Sequence, residues 1–401
     1  MKLPENPPNL SLAEEVGQEK LGEIVKNEKF ISLIKMANGR YLYWDKFKYR
    51  VPPELVSPRL AWSYLKFTRE TQARSISLKD QTDQYFNYWL PDKIQEDLHF
   101  VDKYAGGQIS LDKPVINQES QDRYLISSLM EEAISSSILE GAATTRKQAK
   151  QMLLSGRKPA SLADKMIYNN YKTIKKLHKN KEKPLTVEML NELHHSMTED
   201  TFEDPSISGR FRKEDDEPIS VMDGEGTTLY IPPVCQEIES RVNDLIEFAN
   251  EDHSSVNFIH PVVKAVILHF GIGYIHPYND GNGRTARALF YWFMLKHGYW
   301  MTEYISISRI LLKSSKQYAR SYLYTEKDDR DLTYFISYQL KSLRLAFQEL
   351  RNYISRRQKA VNLFSKALDT HPDLNLRQNT ILQHALSHSD FSYTIQQHKN
   401  Y

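Results

Sequence analysis

A short segment, residues 276–287, concentrates the side chains best suited to chemistry. It reads His-Pro-Tyr-Asn-Asp-Gly-Asn-Gly-Arg-Thr-Ala-Arg. Its Gly281, Asn282 and Gly283 predict a tight loop before a helix, and such a loop lets backbone N–H groups approach a ligand closely. The positive end of the helix dipole points to the same place. The loop is therefore predicted to bind an anion.

The charged residues around this loop indicate which anion. Arg284 and Arg287 lie three residues apart, so we expect both guanidinium groups to face the loop and to serve a polyanion such as a polyphosphate. Asp280 would repel a bare phosphate, which predicts a divalent cation, and Mg²⁺ typically takes one or two carboxylates plus phosphate oxygens. His276 is the side chain best suited to accept a proton from an attacking hydroxyl. Together these residues predict phosphoryl or nucleotidyl transfer.

The composition predicts the scaffold that must position this segment. The chain of 401 residues contains 15 glycines, whereas average usage of about 7% would give roughly 28. Since glycine weakens helix interiors, the shortage favours a mainly helical fold. The 53 Lys and Arg nearly balance the 51 Asp and Glu, which argues against a polycationic nucleic-acid binder. One cysteine, no signal-peptide pattern and no apolar run of about 20 residues predict a cytoplasmic protein without a membrane span.

Hydrophobic spacing predicts helices on both sides of the segment. They cover about 121–141, 144–155, 161–178, 185–198, 235–250, 262–275 and 331–357. Two short β-prone runs around a glycine-containing turn predict a hairpin over about 216–231. Earlier in the chain, Pro52 and Pro53 followed by Glu54 predict a helix start, and the aromatic residues around them are interpreted as core.

The segment 276–287 resembles the signature of the Fic family, HPFx(D/E)GNGRxxR, from which only Tyr278 departs. The resemblance of the surrounding helices extends over about residues 115–350. It implies a helical core that binds ATP with Mg²⁺ and usually transfers AMP to a Ser, Thr or Tyr hydroxyl of a protein, releasing pyrophosphate. The site residues that it implies are the general base His276, the metal ligand Asp280, the anion hole Gly281, Asn282 and Gly283, the phosphate contact Arg284 and the γ-phosphate contact Arg287.

The same resemblance implies a regulatory element and a docking element. Ser136, Glu140 and Gly141 match the inhibitory motif (S/T)xxxE(G/N) of the family. By resemblance, the glutamate forms a salt bridge with Arg287 and prevents productive seating of the γ-phosphate. The predicted hairpin resembles the flap that clamps a target segment by strand pairing.

We therefore predict a mainly α protein with three parts. A helical, aromatic-rich N-terminal domain covers 1–113, and a Fic core with the inhibitory helix and a small β-hairpin flap covers 114–352. A C-terminal helical segment over 353–401 resembles the opening helices of a winged helix-turn-helix module. Because this segment lacks a recognition helix and a basic surface, DNA binding is not supported.

The leading interpretation is a self-inhibited protein adenylyltransferase whose target protein docks on the flap. Self-modification and homodimer formation stay open at this point. One alternative within enzymes is the removal of AMP or the transfer of another phosphate-containing group. An alternative of another class is a nucleotide-binding regulator whose tail binds DNA or a partner. The presence of His276 argues against a role in binding alone, since a nucleotide sensor needs no base there.

Overall fold

The computed structural model describes residues 1–8, 24, 26–106, 118–177, 181–253, 257–369, 375, 378 and 380–382. Within these ranges the chain is mainly helical, with two small antiparallel hairpins. The prediction of a mainly α fold is therefore confirmed. Of the predicted C-terminal segment 353–401, residues 353–369, 375, 378 and 380–382 are described, and the rest lies outside the described residues.

The N-terminal part combines short helices with one hairpin. Its elements are α1 (Glu28–Arg40), α2 (Trp44–Phe47), a 3₁₀ turn (Lys48–Arg50), α3 (Pro58–Glu70), β1 (Arg74–Lys79), β2 (Tyr85–Tyr88) and α4 (Asp92–Ala105). The strands pair antiparallel, with Arg74 opposite Tyr88.

The predicted helix start at Pro52 and Pro53 is wrong. Helix α3 begins later, because Ser57 is its N-cap and accepts a hydrogen bond from the backbone N–H of Leu60 at 3.2 Å. Pro58 then occupies the first helical position, where its missing N–H costs nothing. The earlier prolines instead open a turn that the N–H of Leu55 closes on the Pro52 carbonyl at 3.0 Å.

The remaining elements form the body that carries the segment 276–287. They are α5 (Gln118–Leu139), α6 (Arg146–Ser155), α7 (Leu162–Leu177), α8 (Val187–Thr198), a 3₁₀ turn (Pro205–Ile207), β3 (Val221–Met222), β4 (Thr228–Tyr230), α9 (Cys235–Asn250), α10 (Pro261–Ile275), α11 (Asn282–Lys296), a 3₁₀ turn (Trp300–Tyr304), α12 (Ile307–Lys313), α13 (Ser315–Lys327) and α14 (Thr333–Asp369). The helices agree with the predicted ones to within a few residues, except that α14 continues to Asp369.

Helices α10 and α11 form the centre of the molecule and are buried along most of their length. Two glycines in α10 let neighbouring helices approach it. A Cβ at Gly271 would lie 2.6 Å from Leu245 Cδ1 of α9, and a Cβ at Gly273 would lie 2.4 Å from the Tyr322 hydroxyl of α13. Both distances are too short for a methyl group, so a side chain at either position would force Leu245 or Tyr322 to shift.

The N-terminal part packs on the end of the body rather than standing apart. The Tyr41 hydroxyl donates to Asp331 Oδ2 at 2.6 Å, and the Tyr43 ring stacks on Tyr324 with a centroid distance of 4.0 Å. The buried Arg69 donates to the Tyr334 hydroxyl at 2.7 Å. These contacts join the aromatic residues to α13 and α14 as core. The domain boundaries near residues 113 and 352 stay predictions.

Candidate active site

His276 lies at the C-terminus of α10 in the left-handed region, with φ of 52°. Its backbone N–H donates to the Ile272 carbonyl at 2.9 Å. Its Nδ1 lies 3.2 Å from the Gly273 carbonyl, which can only accept, so Nδ1 carries the proton. Nε2 is thereby left with its lone pair. Burial lowers the pKa of the imidazole, as does the charge of Arg212, so the ring is a neutral base at neutral pH.

Two residues outside the segment hold this loop, and the sequence reasoning missed both. Arg212 Nε donates to the His276 carbonyl at 2.8 Å, and Nη2 donates to the Pro233 carbonyl. Arg212 therefore ties the end of α10 to the chain that follows the flap. The second residue is His194 of α8. The N–H of Gly209 donates to its Nδ1 at 3.0 Å, so Nε2 is protonated and donates to the Asp280 carbonyl at 2.8 Å.

His194 is neutral for a clear physical reason. Its ring is buried and stacks on Tyr278 with a centroid distance of 3.7 Å and an angle of 4° between the rings. Burial lowers its pKa to about 4. The sequence signal that could have identified His194 is its position as a polar residue among the apolar positions of the predicted helix 185–198. Its partner Asp280 lies 86 residues away, so no local spacing could connect the two.

The anion loop has the geometry expected of a phosphate cradle. Gly281 is the N-cap of α11 with φ of 82°, and this residue supplies no side-chain cap to the first N–H groups of that helix. A Cβ at Gly281 would lie 2.9 Å from Thr198 Cγ2. The Asn282 side chain braces the loop, because it accepts from the N–H of Tyr278 at 2.9 Å and donates to the Tyr278 carbonyl at 2.7 Å. Asn282 can thus contribute to anion binding through its backbone N–H.

The two arginines of the segment have different partners. Arg284 is fully buried, donates to the Met197 carbonyl at 3.1 Å, and pairs with Asp280 Oδ2 at 3.0 Å. Its Nε has no hydrogen-bond partner among the described residues. The Asp280 side chain stays 51% exposed. The carboxylate is thus held at the rim of the loop with half of its surface open to a ligand.

Arg287 faces the end of α5 instead. Its Nε donates to Ser136 Oγ at 2.8 Å, and its Nη2 donates to the Ser136 carbonyl at 3.1 Å and to Glu140 Oε1 at 2.9 Å. The guanidinium is 1% exposed, and Nη1 has no hydrogen-bond partner among the residues that the structure describes. The structure therefore brings together the three residues Ser136, Glu140 and Arg287.

The Glu140 carboxylate also lies over the anion loop. A Cβ at Gly283 would be 2.1 Å from Glu140 Oε1. A carboxylate therefore occupies the place at the N-terminus of α11 where the sequence predicts a phosphate. Gly141, with φ of 93°, follows directly and ends the helical turn, and the N–H of Ala142 donates back to the Ser137 carbonyl at 2.9 Å.

Helix α5 is anchored to the body by Glu132. This buried carboxylate accepts hydrogen bonds from Ser306 Oγ at 2.9 Å, from the N–H of Ser308 at 3.0 Å and from the Tyr291 hydroxyl at 3.0 Å. Since Glu132 lies about two turns before Glu140, which directly follows this helix, the anchor fixes the helix that leads to the Glu140 carboxylate.

The predicted hairpin is present and is shorter than expected. Val221 of β3 pairs with Tyr230 of β4. Asp223 closes the turn by accepting from the N–H of Thr227 at 2.9 Å. The Tyr230 hydroxyl donates to the Tyr274 carbonyl at 2.9 Å, two residues before His276, so the hairpin is attached to the end of α10.

The segment 276–287 lies within a region that matches a known protein family. The profile of the Fic/DOC family matches residues 184–294. The chain contains a Fic domain. The matched region includes the loop and both arginines of the segment, whereas residues 136–141, which are predicted to be inhibitory, precede it.

The Fic domain is similar to those of named protein adenylyltransferases. The protein adenylyltransferase Fic of Nematostella vectensis is 27% identical over 119 residues, which are 30% of this chain and 25% of that protein. The protein of the same name from Drosophila melanogaster is 31% identical over 115 residues, 29% of this chain and 21% of that protein. The match therefore covers a quarter or less of these relatives' length.

Solved structures show the same fold. A Fic family protein from Desulfovibrio desulfuricans G20 is similar with a TM-score of 0.51 and 18% identity, over 65% of this chain and 73% of that one. Fic-1 from C. elegans is similar with a TM-score of 0.51 and 18% identity, over 66% of this chain and 73% of that one. At such identities the likeness establishes the fold alone. Within the described residues, we find no helix with the length and apolar character of a membrane span.

Proposed function

We propose that this Fic-domain protein is a self-inhibited protein adenylyltransferase that transfers AMP from ATP to a Ser, Thr or Tyr hydroxyl of a target protein. The observation that carries the proposal is that the His276 imidazole, whose Nδ1 faces the Gly273 carbonyl and whose Nε2 keeps its lone pair, lies a few residues before the N-terminus of α11, where Gly281 supplies no side-chain cap. The names of the similar proteins support the choice of AMP transfer.

In the proposed reaction, the target hydroxyl oxygen attacks the α-phosphorus of ATP. His276 Nε2 accepts the hydroxyl proton as the new phosphorus–oxygen bond forms. The bond from the α-phosphorus to its bridging oxygen breaks, and pyrophosphate leaves with the electron pair. The backbone N–H groups of Gly281, Asn282 and Gly283 donate to the phosphate oxygens, whose charge rises in the transition state. Arg284 and Arg287 add fixed positive charge beside them.

Asp280 is the residue that would hold Mg²⁺. The described residues contain no group of three or more His, Cys, Asp and Glu side chains that could hold a metal by themselves. One half-exposed carboxylate at the rim of a phosphate cradle fits a Mg²⁺ ion, since this ion commonly takes one or two carboxylates with phosphate oxygens and waters. When bound, Mg²⁺ neutralises part of the polyphosphate charge.

The inhibition is proposed to be competition between two anions. The Glu140 carboxylate sits against Gly283 and pairs with Arg287, which is the arginine expected to hold the γ-phosphate. A triphosphate and this carboxylate would place negative charge in the same few ångströms, which costs free energy in a buried site. ATP therefore binds productively only when Glu140 is displaced.

The target segment is proposed to dock on the hairpin formed by β3 and β4. Exposed Met222 and Ile231 lie on and beside these strands. An extended peptide that adds a strand there would present its side chains near the end of α10, because Tyr230 attaches the hairpin to that end.

The test combines nucleotide binding with the incorporation of labelled AMP. We would incubate wild type, Glu140→Gly and the double variant Glu140→Gly/His276→Ala with Mg·ATP and lysate proteins, using ATP labelled at the α-phosphate. We expect AMP incorporation to rise in Glu140→Gly and to vanish in the double variant, although both bind Mg·ATP. Equal incorporation in the double variant would refute the role of His276. Failure of Glu140→Gly to bind Mg·ATP would refute the proposed function.

A further inference from the structure

The turn between β1 and β2 carries a side chain that reaches the hairpin formed by β3 and β4. Gln81 Nε2 donates to the Tyr230 hydroxyl at 2.9 Å and to the Ile231 carbonyl at 3.0 Å. A carbonyl can only accept, so the contact with Ile231 requires the NH2 group of the amide and fixes which way the amide points. This group has two N–H donors and can serve both acceptors at once. Gln81 therefore holds β4 and the residue that follows it.

The same residue contacts the end of α10 through its backbone. The N–H of Gln81 donates to the Tyr274 hydroxyl at 3.0 Å. The Tyr274 carbonyl in turn accepts from the Tyr230 hydroxyl at 2.9 Å. The Tyr230 hydroxyl thus donates to α10 while it accepts from Gln81, and the hydrogen bonds join three separate parts of the chain. Since His276 follows Tyr274 by two residues, this junction is attached to the helix end that carries the proposed base.

The turn that carries Gln81 is itself braced. Asp80 Oδ1 accepts from the N–H of Thr82 at 2.8 Å, and the Asp80 carbonyl accepts from Arg241 Nη1 of α9 at 2.9 Å. The buried Phe86 ring of β2 meets the Tyr274 ring edge-on, with a centroid distance of 5.1 Å and an angle of 89° between the rings. The body of the protein therefore fixes the place from which the Gln81 side chain extends.

The hairpin that receives these hydrogen bonds is short. Strand β3 has two residues and β4 has three. A two-stranded hairpin is at best marginally stable by itself, so its orientation depends on contacts with the rest of the molecule. The contacts of Gln81 and Tyr230 attach it to the end of α10. Loss of the Gln81 side chain would remove two of these hydrogen bonds without changing any residue of the hairpin or of α10.

We propose that Gln81 is a positioning residue for target docking, which holds β4 against the end of α10 so that a strand added to the hairpin presents its hydroxyl to His276. This inference rests on the proposed function, since it takes the hairpin as the docking surface. Gln81 precedes residues 184–294, which match the family profile. The N-terminal part of the chain thus contributes to the docking of the target protein.

The first measurement is hydrogen exchange of the hairpin in Gln81→Met, made in the Glu140→Gly protein. Methionine is similar to glutamine in length but has no N–H donors in its side chain, and the backbone N–H of residue 81 stays in place. The amides of β3 and β4 should exchange about three- to tenfold faster, which corresponds to the loss of the side-chain hydrogen bonds.

The second measurement is AMP transfer by the same proteins, with α-labelled ATP and lysate proteins as acceptors. The amount of lysate protein that gives half-maximal incorporation should rise about two- to tenfold in Gln81→Met, while the maximal rate changes less than about twofold. A third measurement is the Kd for Mg·ATP by calorimetry, with Gln81→Met placed in the Glu140→Gly/His276→Ala protein. This Kd should stay the same, because the Gln81 side chain contacts the hairpin and not the anion loop.

The matched control is Gln84→Met. This glutamine lies in the same turn and is exposed, and among the described residues its side chain makes no hydrogen bond to the hairpin. The control should leave all three quantities unchanged. Unchanged exchange, unchanged incorporation or weaker Mg·ATP binding in Gln81→Met would each overturn the inference and leave the proposed function standing, as would equal effects in Gln84→Met. Absence of AMP incorporation by Glu140→Gly with Gln81 intact would instead refute the proposed function, and this inference with it.

Discussion

Replacing Glu140 should remove the carboxylate that occupies the predicted phosphate site. The resulting change in the free energy of unfolding follows from the contact between Glu140 and Arg287. Glu140 Oε1 lies 2.9 Å from Arg287 Nη2, with the carboxylate 22% and the guanidinium 1% exposed. Removing one partner of a fully buried ion pair costs about 3–5 kcal/mol. Because solvent screens the partly exposed carboxylate, we expect Glu140→Gly to lower the free energy of unfolding by about 1–3 kcal/mol.

Mg·ATP should raise the free energy of unfolding of Glu140→Gly far more than that of wild type. At a free nucleotide concentration of 100 times the variant's Kd, linkage gives about 2.7 kcal/mol of stabilisation. If displacing Glu140 costs about 2 kcal/mol, the wild-type Kd is roughly 30-fold higher. The same concentration then stabilises wild type by only about 0.9 kcal/mol.

Thermal unfolding with and without Mg·ATP measures both quantities. Glu140→Gln separates the charge from the loss of a side chain at the helix end, and it should behave like Glu140→Gly toward the nucleotide. Glu251→Gly is the matched control, because this glutamate also ends a helix and pairs with His253 at 3.3 Å, far from Arg287 in the chain. Equal stabilisation of wild type and Glu140→Gly by the nucleotide would refute the idea that the carboxylate blocks the site.

Three further predictions concern pH and packing. Since burial lowers the pKa of His276, AMP transfer by Glu140→Gly should fall only below about pH 6.5 and be flat above pH 7, and a rate that still rises from pH 7 to 8 would contradict the assignment. Burial raises the pKa of Glu326 to about 8, so its contribution to stability is present at low pH and is lost as the pH rises through 8. The melting temperature should therefore change less between pH 7 and pH 9 in Glu326→Gln than in wild type. Equal changes in the two proteins would contradict this role of Glu326. Gly273→Ala should cost about 1–3 kcal/mol in urea unfolding because its Cβ meets the Tyr322 hydroxyl, whereas Gly39→Ala, in an open helical position, should not destabilise.

Local sequence predicted much of the candidate site. The loop from His276 to Arg287 spans twelve residues, and its geometry follows from short-range rules: a helix end, a glycine turn and a new helix N-terminus. Hydrophobic spacing likewise predicted most of the helices, because each helix buries one face of its own segment. The pairing of Glu140 with Arg287, 147 residues apart, was predicted only through the resemblance to the Fic family.

The amino-acid sequence by itself therefore determined the helical class, the anion loop and the types of side chain that surround it. The tertiary structure decided which polar atoms those side chains meet. In the folded protein the Asn282 side chain hydrogen-bonds to its own loop, and Arg284 and Arg287 contact different helices. The loop is also held by hydrogen bonds from His194 and Arg212. The physical reason is that such contacts join residues far apart in the chain, and helix packing sets which of them meet.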